Sequence, residues 1–155
     1  MKYLLALLLI FGVAAILFPV FARGKVPDHT PRCLSIVKVN ATAMIIYQAD
    51  WDDRFPLRDS WQDAARNYLN TDRYDRCPLL QKEKPNAQIF GFALNKELAG
   101  QRTPKNSQGF PLVFDSINLA RNASGTIESL PLPGRHEGTN NIAYTDGSAK
   151  AVRTN

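Results

Sequence analysis

The sequence predicts an α+β chain in which an N-terminal membrane-spanning helix and an amphipathic helix precede a small antiparallel sheet. Three observations carry that reading. Residues 3–22 form an apolar run of twenty without a single charge. Residues 34–48 repeat apolar side chains at helical spacing, and the second half breaks into short apolar runs between prolines and glycines. With 155 residues, 45% hydrophobic and 21% charged, the chain has the size and composition of one folded domain and not of a disordered polymer.

Taken in order, residues 3–22 (YLLALLLIFGVAAILFPVFA) are long enough, as a helix, to cover about 30 Å of bilayer core. The same run also fits a cleaved signal peptide, with Lys2 as the basic start and Val20 and Ala22 as the small residues before a cut. Residues 1–22 are therefore expected to be an anchor or a signal, and both readings stay open. Residues 23–31 hold Gly24, Pro27 and Pro31 and form a connector, after which residues 32–155 make the globular domain. Thr30-Pro31 is a helix start, with Pro at the first helical position. The stripe Leu34, Val37, Ala41, Ile45 and Gln48 favours a helix, while the β-branched Ile36, Val37, Val39, Ile45 and Ile46 also permit a strand. Ser60 is placed to cap a second, short helix in WQDAARNYL. Strands are expected at residues 88–94 and 112–114, and a hairpin over 141–152 turns at Asp146-Gly147 with Ile142 and Tyr144 on one face.

The cysteines are two, Cys33 and Cys77, and no CxxC or Cys/His spacing of a zinc site accompanies them. Behind an export-type segment the pair reads as one disulfide, worth roughly 3 to 4 kcal/mol in the chain-entropy view. The alternative is two buried thiols. Net charge is +5, but Lys2, Arg23 and Lys25 flank the apolar run, and the remaining 16 basic side chains face 14 acidic ones. That balance is no nucleic-acid signature.

Several motifs then line up in one order. Residues 14–23 (AAILFPVFAR) are followed by Cys33-Leu34-Ser35, then by residues 47–56 (YQADWDDRFP), Cys77-Pro78 and residues 111–115 (PLVFD). At the end stand Arg135-His136-Glu137-Gly138, Asn141 and Asp146-Gly147. In this order the chain resembles the type IV pilin-like proteins, and more narrowly the pseudopilins of the type II secretion G class. Its N-terminus is degenerate, because the family's membrane carboxylate falls on Lys2. The resemblance implies a pilin-like fold and a non-enzymatic structural protein. Such a protein is anchored by a single pass in the cytoplasmic membrane, holds its domain in the periplasm or extracellular space, and packs against other pilin-like or secretion-system subunits. It also assigns His136, Gly138, Asn141, Asp146 and Gly147 to a structural hairpin motif. The rival reading is a secreted or periplasmic binding module released by signal cleavage.

Other chemistry finds little support in the residues. His136-Glu137 opens like a zinc-protease motif, but Asn140 stands where the second His is needed. Asp50, Asp52 and Asp53 do not continue into a calcium loop. No serine sits in a Gly-x-Ser-x-Gly elbow. Asp115 and Asp146, with His136 and Asn141, could converge as an ion cluster, and calcium is the metal that the resemblance suggests there; otherwise no cofactor is expected. Aromatics near arginines at residues 51–76 could stack nucleic acid, but seven aspartates interleave with them and cancel the field. The expectation is a non-enzyme with no nucleic-acid partner.

Overall fold

A computed structural model of the chain describes residue 12 and residues 30–69, 74–103 and 109–154. Helix α1 (Thr30–Asp50) is followed by two short helices, α2 (Trp61–Arg66) and α3 (Pro78–Glu83). Strands β1 (Phe92–Asn95), β2 (Pro111–Asp115), β3 (Ser124–Gly125), β4 (Thr139–Tyr144) and β5 (Ala149–Arg153) form one sheet in the order β3-β1-β2-β4-β5. All neighbours are antiparallel except β1 and β3, which run parallel, so the sheet is mixed and not purely antiparallel as expected.

The membrane-spanning helix expected of this chain is the first correction. Among the described residues no helix is long and apolar enough to cross a membrane, and the apolar run at 3–22 lies outside them, as does the connector up to residue 29. The long helix that is described, α1, is built for a different environment. Its Cys33, Ile36, Val37, Asn40, Ala41 and Met44 are buried at the 3–4 spacing of one helix face, while Arg32, Ser35, Lys38 and Thr42 are exposed. A lipid-facing helix would have no such charged side. The buried face is also rotated about one position from the expected stripe, since Leu34 and Ile45 are only half-buried.

Helix α1 lies across β2, β4 and β5. The main core under it joins Ile36, Val37 and Met44 to Phe92, Leu94, Val113 and Ala143. Ala93, Phe114, Ala123 and Ile142 pack on the opposite face beneath Leu130, so β1, β2 and β4 are covered on both sides. Two-sided burial explains why β1 (FALN) does not alternate polar and apolar residues.

Elsewhere the expected elements shift by a few residues. The strand expected at 88–94 begins only at Phe92, and the hairpin does turn at 145–148, with Ile142 and Tyr144 packed together on the second core. Ser60 stands at the N-cap of α2, but its hydroxyl makes no capping bond. Asn122 caps instead: its Oδ1 accepts from Gln62 N at 2.8 Å, while its own N–H donates to Gln62 Oε1 at 2.7 Å. With Trp61 Nε1 donating to the Ala123 carbonyl at 2.8 Å, these bonds pin α2 to the loop before β3.

Candidate functional site

Three segments far apart in sequence bring titratable side chains together between α1 and the sheet. Cys33 comes from the first turns of α1 and Cys77 from the residue before α3, where Pro78 opens the helix. His136 comes from a tight turn that enters β4. Its N–H donates to the Thr139 carbonyl at 2.8 Å and its carbonyl accepts from Thr139 N at 3.0 Å. The two residues between, Glu137 and Gly138, have φ of 54° and 85°, the left-handed pair of a two-residue hairpin. Gly138 thus has a role in the His136 motif: it lets the chain reverse so that the imidazole lies over the sheet.

The sulfurs of Cys33 and Cys77 lie 3.6 Å apart as free thiols. One ring nitrogen of His136 joins them, the three donor atoms lying within 4.8 Å of one another. Asp115, at the end of β2, completes the cluster from the far side. Its Oδ2 is 3.2 Å from His136 Nε2 and accepts from the Asn141 N–H at 2.6 Å; its Oδ1 is 3.4 Å from Arg135. Arg135 also donates to the carbonyls of Gly91, at 2.8 Å, and of Ser116. A Cβ on Gly91, whose φ is +88°, would lie 2.5 Å from Leu80 Cδ1 and 3.1 Å from the Arg135 guanidinium. Only glycine fits there, and nothing in the sequence pattern singles it out.

Asp115, Cys33 and Cys77 are wholly enclosed and His136 is 3% exposed. Although His136 Nε2 is within reach of Asp115, the direction is not that of a hydrogen bond, so neither ring nitrogen has a hydrogen-bond partner. The contact is an electrostatic one. Both ends of the Asn141 carboxamide are likewise buried without partners. Each orphaned group of this kind costs about 1–3 kcal/mol.

The charges respond to one another. Burial draws the His136 imidazole down, but Asp115, and then Cys77, outweigh it and hold the ring up at about 9. The bond from Cys33, and then His136, pull the Cys77 thiol down to about 5 against the effect of burial. Cys33 is pushed up by the bond it makes to Cys77 and by its own burial. The two sulfurs are thus drawn in opposite directions, Cys77 down and Cys33 up, with the His136 imidazole held up beside Cys77.

Of the residues expected to converge, Asp115, His136 and Asn141 do. Asp146 does not. It is exposed in the β4–β5 turn, where its Oδ1 accepts from Ser148 N at 2.8 Å and the Ser148 bonds hold its carboxyl below the usual range. Gly147, with φ of 79°, makes that turn. Asp115 and Asp146 thus share no calcium site, and both Asp115 oxygens already face cations or an N–H. The sequence failed to join the cysteines to His136 because their spacing is tertiary and matches no local motif.

Compared with known protein families, with curated proteins and with solved structures, the chain finds no match. Together with the absence of a membrane-crossing helix among the described residues, this overturns the resemblance to pilins and type II secretion pseudopilins. The membrane-anchored structural role and the single-pass location fall with it.

Proposed function

We propose that the chain is a non-enzymatic interaction domain, held together by the enclosed thiol–imidazole–carboxylate cluster and meeting its partner through aromatic side chains at the end of α1. The observation that carries this reading is the enclosure of Cys77 and His136. A thiol drawn down beside an imidazole is the chemistry of a cysteine nucleophile, and in that respect the cluster favours a second reading, a thiol enzyme. A nucleophile must meet its substrate, however, and Cys77 has no exposed surface. The described pocket of about 320 Å³ lies elsewhere, lined by Arg58, Asp59, Asn118, Arg121 and Asn122 among others.

On the surface, Trp51 is 58% exposed and stacks on Tyr47 with ring centres 5.5 Å apart and planes 8° from parallel. Tyr68 meets Tyr47 edge-on at 6.1 Å. Held rings of this type supply contact area at little cost in side-chain entropy, which is why Trp and Tyr anchor interfaces. Asp50, Asp52 and Asp53 are exposed beside them, with Arg54 and Arg58, and this mixed charge favours a protein partner over a phosphate backbone.

Native alkylation decides between domain and enzyme. In chelator-treated, reduced, folded chain, iodoacetamide is expected to leave Cys77 unmodified over hours, with full labelling only after unfolding. Rapid stoichiometric labelling of Cys77 in the native state would establish an accessible nucleophile and replace this reading with the enzyme.

A further inference from the structure

The donor set at the centre of the cluster suits more than cohesion. We infer that Cys33, Cys77 and His136 hold a zinc-type divalent cation. This rests on the reading of the cluster as closed and non-catalytic, and it names what closes it. Two thiolates on a tetrahedral ion at about 2.3 Å stand about 3.8 Å apart. The observed separation of 3.6 Å matches that edge, whereas a sulfur–sulfur bond needs about 2.05 Å. The His136 donor lies within 4.8 Å of both sulfurs, and all three side chains are at least nine-tenths buried. Neither nitrogen of that ring has a hydrogen-bond partner, so no protein group holds the coordinating nitrogen, and the cation displaces the ring and thiol protons as it binds.

Charge selects the ion. Asp115 is matched by Arg135, and two thiolates with a neutral imidazole are matched by a dication, so the enclosed cluster closes neutral. A monovalent ion would leave one buried negative charge. Sulfur and imidazole are soft or borderline donors, which disfavours calcium and magnesium. Asp115 is the electrostatic neighbour of the ring on its Nε2 side, its Oδ2 lying 3.2 Å away and fixed by the Asn141 N–H, so the ion is assigned to Nδ1. Three protein donors leave the fourth position to one water enclosed with the ion, since the buried donors offer no path for a substrate.

The test uses the whole chain, purified in reductant without chelator, with zinc and then cobalt(II) as probes. Native mass spectrometry is expected to show a single zinc retained through desalting. Cobalt loading of the reduced chain is expected to give a thiolate-to-metal charge-transfer band. Cys33→Ser and His136→Ala are each expected to weaken zinc binding at least about tenfold, and Asp115→Asn by about 10- to 100-fold. Should these variants fail to fold, the wild-type measurements decide alone. Reduced wild-type chain that takes up neither zinc nor cobalt overturns the site. So does a chain that carries no metal, is two hydrogens lighter, and after reduction still ignores zinc: that chain holds a disulfide. In either case Cys77 unreactive to alkylation leaves the non-enzymatic reading standing, so the two failures are told apart.

Discussion

Two carboxylate–arginine pairs in this chain differ mainly in where they sit. Asp115 and Arg135 lie 3.4 Å apart with side chains 0% and 9% exposed, and a histidine, a backbone N–H and two carbonyls share their atoms. Asp63 and Arg121 also pair, in closer contact, but with side chains 51% and 36% exposed beside the open pocket. The first is closed from water and cannot lose one member without stranding the other. The second is a clamp between α2 and the loop before β3, where water can replace either partner. Distance is therefore a poor guide to what a pair contributes, and burial decides.

That contrast is sharpest under substitution. Asp115→Ala is expected to cost about 3–5 kcal/mol, because it leaves Arg135 buried without a counter-charge and the Asn141 N–H without an acceptor. Urea unfolding measures it, and a loss under about 1 kcal/mol would show that water reaches the cluster. Gly91→Ala probes the same cluster from the backbone side. It combines a left-handed backbone with a close approach to Leu80 and Arg135, and about 1–3 kcal/mol of overpacking is expected by the same measurement. The exposed pair should behave differently. Asp63→Ala is expected to cost only about 0.2–1 kcal/mol, and less in high salt, while Asp115→Ala is insensitive to salt.

The smallest expected effect is one of pH. Arg121, then Asn122, hold the Asp63 carboxyl below its usual 3.8. A carboxyl depressed on folding stabilises above its unfolded value and loses that contribution as pH falls through the folded one. Wild type and Asp63→Asn should thus differ slightly at pH 6 and converge in acid below the depressed value. A gap that widened in acid would reverse the sign and refute the assignment.

How much of this was readable in the sequence differs between the same two regions. The Asp-Gly turn, the strand at 112–114, which the structure extends to Pro111–Asp115, and the helix beginning at Thr30 were legible because local chemistry sets them: positive φ, Pro position and apolar spacing. His136, Asn141 and Asp115 could be named as candidates, but their meeting with Cys33 and Cys77 depends on sheet order, which no local pattern encodes. Asn122 capping α2 was invisible for the same reason, while Ser60, the local candidate, makes no such bond. The apolar run at 3–22 lies outside the described residues, and its length and charge, which define what a segment can do in a bilayer, identify no family. The aspartates at 52 and 53 follow directly on the end of α1 at Asp50, and both adopt positive φ, which short polar side chains tolerate.

The sequence separation of the cluster's members has a consequence for how the chain reaches its native state. Cys33 and Cys77 stand 44 positions apart, and His136 arrives from near the end of the chain on the turn into β4. Contacts between such distant segments bear the entropy of closing long loops before they return any stabilisation. The helix turns and the β4–β5 hairpin can form from neighbours alone, but the cluster cannot exist until α1, the 77–78 turn and β4 have all docked. The cluster is therefore expected to form late, and the Asn141 N–H, which bonds Asp115 Oδ2, should be among the last amides to gain protection in pulsed hydrogen exchange during refolding.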